Sequence, residues 1–283
     1  MKSVVITGAS TGIGRATALR LAEHGHRVFA GVRKESDGED LVRVAKGKID
    51  PISIDVTDGS SIEAAAKLVG EELGSSGLGG LVNNAGIAVS GPLEYLPVED
   101  LRKQLEVNVI GQIAVTQAFL PLIRQGGGRI VNIGSVAGRA PSAPLLGPYA
   151  ASKMAMEALN DSLRTELMRW DISVSLIEPG AIATPIWDKS GGDFDQLTEG
   201  LTEEGVQRYG RLIETGRRIA AAQNRRGIPP EKVASAVEHA LTSKRPKTRY
   251  LIGRDAWGRA HLETLLPDKM RDKVVARVLR YEK

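Results

Sequence analysis

The sequence predicts an α/β fold: one parallel sheet covered by helices on both faces. Three observations lead there. Short β-branched runs alternate with longer helical patterns along most of the chain, as repeated βαβ units require. Several of these short runs are apolar at consecutive positions, which suits strands buried on both faces. No Pro/Gly/Ser-rich linker and no internal repeat divides the 283 residues, and a single wide sheet can use a chain of that length.

In chain order, strands are expected at Val4–Thr7, Arg27–Val32, Ile52–Ile54, Leu81–Val82, Arg129–Ile133, Ser173–Ile177 and Tyr250–Ile252. Helices are expected at Gly14–His24, Ser60–Leu73, Val98–Gln125, Ala150–Arg169 and Glu231–Ser243. In the first of these, Ile13, Ala16, Leu19 and Ala22 recur at helical spacing. Pro121 is expected to end or kink the third near its C-terminus. The stretch 186–227 breaks the rhythm: it is polar, carries Gly191-Gly192, and reads as a partly helical excursion closing over a substrate. Residues 1–255 then form one catalytic domain and 256–283 an amphipathic extension. In the extension, Leu262, Leu265, Leu266, Met270, Val274 and Val278 recur at roughly helical spacing. One helix docked on its own subunit or a neighbour is expected, with membrane-surface contact as the alternative.

Composition narrows the function. Apolar residues are 42% and charged residues 25% of the chain, ordinary for a globular protein. There is no cysteine, which removes disulfides, thiolate metal sites and thiol nucleophiles and fits a reducing compartment. His24, His26, His239 and His261 stand at no ligand spacing, so no metal is expected. Net charge is 38 − 34 = +4. Residues 243–283 hold 12 basic and 5 acidic side chains, a local +7, but no nucleic-acid-binding module accompanies them. The N-terminal apolar run is three residues long, and no run of about 18 apolar residues stands out. A cytoplasmic protein is expected.

The first motif is Thr7-Gly8-Ala9-Ser10-Thr11-Gly12-Ile13-Gly14, after the first strand and opening the first helix. Glycines there allow a tight turn, and the helix N-terminus favours an anionic pyrophosphate. Ser10, Thr11, Ile13 and the three glycines are therefore cofactor candidates. At the end of the second strand stand Arg33 and Lys34, where a carboxylate would hold the ribose hydroxyls of NAD. A guanidinium can instead grip a 2′-phosphate, so NADP is favoured over NAD; the bland reading is a solvated loop charge. Asp55-Val56 after the third strand suits the adenine amino group, and the bland reading of Asp55 is a helix cap, for which Asp58 is the better candidate. Asn83-Asn84-Ala85-Gly86 ends the fourth strand, where small residues admit a cofactor.

Tyr149 and Lys153 are spaced i, i+4 on one helical face. A free phenol has a pKa near 10, and a nearby ammonium favours the phenolate. Tyr149 would exchange a proton with a substrate oxygen while hydride moves to or from the cofactor. Ser135 ends a strand 14 residues earlier and offers a hydroxyl to a substrate carbonyl. Asn108 is unusual in a helix interior and is read as disturbing that helix and holding a water near Lys153.

Together these residues resemble the short-chain dehydrogenase/reductase family from Val4 to about Asp255, in the family's order and separations. The matches are Thr7-Gly8-x3-Gly12-x-Gly14, Asn83-Asn84-Ala85-Gly86, Asn108, Ser135, Tyr149-x3-Lys153 and Pro179-Gly180. The resemblance implies a Rossmann-type, doubly wound sheet of seven strands and an Asn108–Ser135–Tyr149–Lys153 tetrad. It implies that Lys153 touches the nicotinamide ribose and that Pro179, Gly180, Ile182 and Thr184 border the nicotinamide. Arg33 matches a basic residue of NADP-preferring members, whereas the second basic position is Thr11 here. Hydroxysteroid and retinol dehydrogenases are the branch it looks most like. Candidate substrate residues are Ala88, Val89, Ala137, Leu145, Leu146, Ile186 and Trp187, beside Ser135 and Tyr149, and they suit a lipophilic alcohol or carbonyl compound. The family implies a homodimer or homotetramer. A non-catalytic cofactor-binding sensor is the alternative, but it has little need for the tetrad.

Overall fold

The computed structural model describes residues 2–140, 144–184, 186 and 194–279. Seven strands form one sheet: β1 (Ser3–Ile6), β2 (Arg27–Val32), β3 (Ile49–Ser53), β4 (Gly80–Asn83), β5 (Arg129–Ile133), β6 (Val174–Pro179) and β7 (Arg249–Ile252). Their spatial order is β3-β2-β1-β4-β5-β6-β7 and every pairing is parallel. The expected fold is the observed one. The chain crosses from β3 back to β4 beside β1, so the switch point lies between β1 and β4, where ligands of open α/β sheets bind. Pro51 sits in β3, tolerated because β3 is an edge strand.

Two buried clusters sandwich the sheet. On one face Val4, Ile6, Val28, Ala30, Val82 and Val131 pack on α1 (Gly12–Glu23) and, later in the chain, α9 (Pro230–Thr242). On the other, Val5, Phe29, Leu81 and Ile130 meet α3 (Gly59–Leu73) and α5 (Gly111–Gly126). Strand alternation assigns these side chains to opposite faces. Between β2 and β3 runs α2 (Glu35–Val44), a helix absent from the sequence reading. Its sequence is mostly polar, and Leu41 is its one fully buried apolar side chain.

The long central helix begins with α4 (Val98–Leu105), passes through a π-helical turn at Glu106–Ile110 and continues as α5. Asn108 sits in the π turn, which matches the expected local disturbance. Pro121 does not end it, for the helix runs on to Gly126. Over Val98–Gly126 it is long and apolar enough to cross a membrane by length and composition alone. Val115, Phe119 and Ile123 nonetheless lie buried against the sheet, and buried Gln112 and Thr116 lie on the same helix.

Helix α6 (Gly147–Glu166) opens with Pro148 in its first turn, where a missing N–H costs nothing. In the excursion, α7 (Phe194–Glu199) and α8 (Glu203–Arg226) are described. Its base is tied by a bridge between Ile182 and Ile228. Arg208 and Tyr209 of α8 bond Glu94 at 2.7 and 2.8 Å, which holds α8 over the segment after β4. The C-terminal extension is two helices, α10 (Arg254–Leu265) and α11 (Asp268–Leu279), not the single one expected. Pro267 separates them, having no N–H to continue the helix. Ala256 and Ala260 of α10 are buried, whereas Leu262, Leu265, Met270 and Val274 are exposed.

Candidate active site

The carboxyl ends of β1, β2, β4, β5 and β6 open on one cleft of about 1260 Å³. Its floor is built by the first motif. Gly8 and Gly12 hold φ of 65° and 56°, the left-handed region that favours glycine. Thr7 Oγ1 accepts the Asn84 and Ala85 N–H groups, both at 3.0 Å. Asn84 Nδ2 donates back to the Thr7 and Gly8 carbonyls at 2.9 and 3.0 Å. The end of β4 therefore clamps the glycine turn. Thr11, at the N-cap of α1, makes no side-chain cap, so the first-turn N–H groups lie open to an anion. A Cβ on Gly8 would lie 2.9 Å from Ala85 Cα, and one on Gly14 would run into the Gly8 carbonyl. These features fit a dinucleotide phosphate laid against backbone.

Ser10, Thr11, Gly12, Ile13, Arg33, Asp55, Val56, Asn84, Ala85, Gly86, Pro179, Gly180, Ile182 and Thr184 all line the cleft with Gly8. Gly14 does not; it packs beneath the turn. Arg33 and Lys34 are exposed at the rim. Asp37, in the first turn of α2, borders the same end and was missed with its helix. Asp55 Oδ1 accepts Thr57 N–H at 2.9 Å and the Thr57 hydroxyl at 2.7 Å. Asp58, not Asp55, caps α3, accepting Ser60 N–H at 2.9 Å.

At the opposite end stand Ser135, Tyr149 and Lys153. Lys153 lies 5% exposed, its Nζ donating to the Ile133 carbonyl at 2.8 Å and standing 5.7 Å from the Tyr149 ring centroid. Burial pulls its pKa down to about 8. Burial pushes the Tyr149 phenol up, the Ser135 hydrogen bond and the charge of Arg259 opposing it. The sequence reading expected the reverse direction; withdrawal from water outweighs the Ser135 hydrogen bond and the Arg259 charge. Ser135 Oγ also accepts Ala137 N–H at 3.1 Å.

Asn108 is fully buried and does not line the cleft. Its Oδ1 accepts Ile87 N–H at 2.8 Å, and its Nδ2 donates to the Ile87 carbonyl at 2.9 Å and Ser152 Oγ at 3.2 Å. These bonds tie the amide to the segment after β4 and to α6. Gln104, one turn earlier, does the same work: Oε1 accepts Val89 N–H at 2.6 Å and Nε2 reaches the Ile87 carbonyl at 3.0 Å. Ser152 donates to the Tyr149 carbonyl at 2.7 Å. Gln104 and Ser152 were missed, since neither belongs to a recognisable spacing.

Around the phenol, Ala88, Ala137, Ala150 and Ile186 form a small apolar cluster. Ala137, Leu146 and Ile186 line the cleft; Ala88, Val89 and Leu145 do not. Leu145 has φ of 68°, unusual for a branched side chain, and is buried away from the cleft. Trp187 lies outside the described residues.

The family model for short chain dehydrogenase matches residues 2–193. The chain belongs to the short-chain dehydrogenase/reductase family. It is 36% identical to the NADPH-dependent 3-dehydrocapnine reductase of Ornithobacterium rhinotracheale, over 97% of this chain and 96% of that one. It is 37% identical to mouse (Mus musculus) retinol dehydrogenase 5, over 98% and 88%. Among solved structures, a short chain dehydrogenase from Burkholderia cenocepacia J2315 in complex with NADP matches with a TM-score of 0.71 at 26% identity, covering 98% and 97%. A family member from Burkholderia phymatum in complex with NAD matches at 0.77 and 26%, covering 92% of each. This short-chain dehydrogenase/reductase is an NAD(P)-dependent alcohol/carbonyl oxidoreductase of the retinol dehydrogenase-like branch, and its cofactor is a nicotinamide dinucleotide.

Proposed function

We propose that this enzyme interconverts an alcohol with its ketone or aldehyde using NADP, and that Tyr149 is the general acid/base. One observation carries the reading: a buried phenol bonded to Ser135 stands beside a buried lysine at the far end of a glycine-floored cleft. A bound nicotinamide supplies or accepts the hydride. Ser135 holds the substrate oxygen next to the phenol, and Tyr149 gives that oxygen a proton during reduction and removes it during oxidation. Lys153, fixed by the Ile133 carbonyl, offers its charge to the phenolate and its N–H groups to the cofactor ribose. Asn108 is a positioning residue, acting through Ile87 and Ser152. Arg33 and Lys34 at the rim, with the named NADPH-dependent relative, support NADP over NAD. Ala137, Leu146 and Ile186 support a lipophilic substrate body. Composition and family resemblance favour a cytoplasmic dimer or tetramer, which light scattering on the purified chain checks.

The test is absorbance of reduced cofactor with a panel of ketones and aldehydes. Tyr149→Phe is expected to lose about 10²–10⁴-fold in turnover while still binding NADPH. Full turnover in that variant sinks the mechanism. Arg33→Asp is expected to weaken use of NADPH more than use of NADH; an unchanged ratio removes Arg33 from the account.

A further inference from the structure

Arg259 is a charged side chain of the cleft, at its Tyr149 end, that this chemistry leaves without a task. It stands on α10, far along the chain from Tyr149, yet both line the same cavity. Its position is fixed from below: Ala256 packs on Val136 and Ala140, and Ala260 is buried beside it. Arg259 Nη2 donates to the Ala140 carbonyl at 2.9 Å. That uses one of the five N–H donors of a guanidinium. Among the described residues it forms no ion pair. Asp255, one turn earlier on α10, turns its Oδ2 to Ala181 N–H at 2.7 Å.

Burial opposes the charge on Arg259, and Asp255 and Tyr149 feel that charge. A partly desolvated guanidinium with open donors is arranged to take a planar oxyanion, which it binds through two parallel hydrogen bonds. The same cleft carries the apolar Ala137 and Ile186 around Tyr149, and Leu146. Resting on the reading that Tyr149 marks the reacting oxygen, we propose that Arg259 selects substrates bearing an anionic group, a carboxylate or a related oxyanion, close to the reacting carbon. The preferred substrate is then amphiphilic: an oxyanion at Arg259, a carbonyl or alcohol at Tyr149 and an apolar remainder.

The experiment separates this from the reaction itself. Hexanoate and hexanamide, matched in shape and differing in charge, are titrated calorimetrically into the full chain loaded with NADP, alongside Arg259→Met and Arg259→Lys. The wild type is expected to bind hexanoate at least about tenfold more tightly, a difference of about 1.4 kcal/mol. That preference should vanish in Arg259→Met and survive in part in Arg259→Lys; Arg259→Gln serves as the uncharged variant if the Met variant does not fold. Equal binding of the two probes by the wild type, including no binding of either, overturns the proposal. So does a preference that survives in the uncharged variant. NADPH turnover with neutral ketones reports separately on Tyr149. If that turnover depends on Tyr149 but hexanoate gains nothing from Arg259, the reaction stands and the selectivity falls.

Discussion

Lys153 concentrates the residue-scale physics. Its ordinary pKa is near 10.4, and burial brings it to about 8 in the folded chain. Between those values the unfolded chain binds more protons, so stability rises with pH across that window. Below it, burying the ammonium costs up to about 3 kcal/mol, from about 1.4 kcal/mol per unit. Lys153→Met should therefore raise Tm at pH 7 by several degrees in the cofactor-free protein. The gain should shrink toward pH 10, and turnover should be lost throughout. A variant melting below wild type at pH 7 would show that the Ile133 hydrogen bond outweighs burial. The raised phenol of Tyr149 adds a second expectation. It stays protonated across neutral pH, so carbonyl reduction should be flat there, while alcohol oxidation should rise with pH. Opposite slopes in the two directional pH–rate profiles would refute this. These residues were legible because i, i+4 spacing brings two side chains together whatever the rest of the chain does. Arg259 was not, because its place in the cleft depends on α10 docking after the sheet is complete. Gly14, Asn108 and Leu145 show the limit of spacing, which sets proximity to a site but not which side of a backbone faces it.

Among elements, the least legible were short helices that bury few apolar side chains. Helix α2 is ten residues long and mostly polar, with one fully buried apolar side chain, so it lacked the length and apolar content that marked the other helices. The C-terminal stretch carried a periodic signal that continued across Pro267, and one proline made two helices of it. What α10 does was also hidden. Besides presenting Arg259, it bonds the segment beyond β6 through Asp255 and Ala181. A Cβ on Gly180 would collide with that carboxylate, which is a reason for glycine there. Because Gly180 and Ala181 line the cofactor cleft, Asp255→Ala should loosen that wall. We expect the NADPH Kd, read by nicotinamide fluorescence, to rise about 5–30-fold, the worth of about 1–2 kcal/mol for a charge-assisted hydrogen bond. Asp255→Asn keeps an acceptor and should lose less. An unchanged Kd in Asp255→Ala would confine the contact to helix anchoring.

The whole molecule is fastened on the far side of the sheet by a charged cluster joining β6, β7 and α6. Arg249 of β7 bonds Glu157 Oε2 at 2.9 Å and Asp161 Oδ2 at 2.8 Å, both on α6, the helix that carries Tyr149 and Lys153. Behind them Glu178 of β6 is fully buried, with Arg139 at 3.6 Å and Arg249 at 4.0 Å. Neither Glu178 oxygen has a hydrogen-bond partner from a donor group, and Glu157 Oε1 is equally unmatched. A proton shared between the two carboxyls would pair one oxygen of each, and burial with the neighbouring Glu157 holds Glu178 well above the usual carboxylate range. The sign follows from proton counting. The folded chain keeps a proton that the unfolded chain has released, so this site contributes stability in acid that is lost as pH climbs from the ordinary carboxylate range through neutrality. Glu178→Gln retains the shape and a permanent N–H donor without the charge. It should leave Tm near the wild-type value at pH 5 and raise it at pH 8, with the gap widening between. Differential scanning fluorimetry across that range measures it. Equal Tm curves, or a variant less stable at pH 8, would mean that Arg139 and Arg249 hold Glu178 ionised and that the cluster is a buried ion-pair network instead of a shared proton.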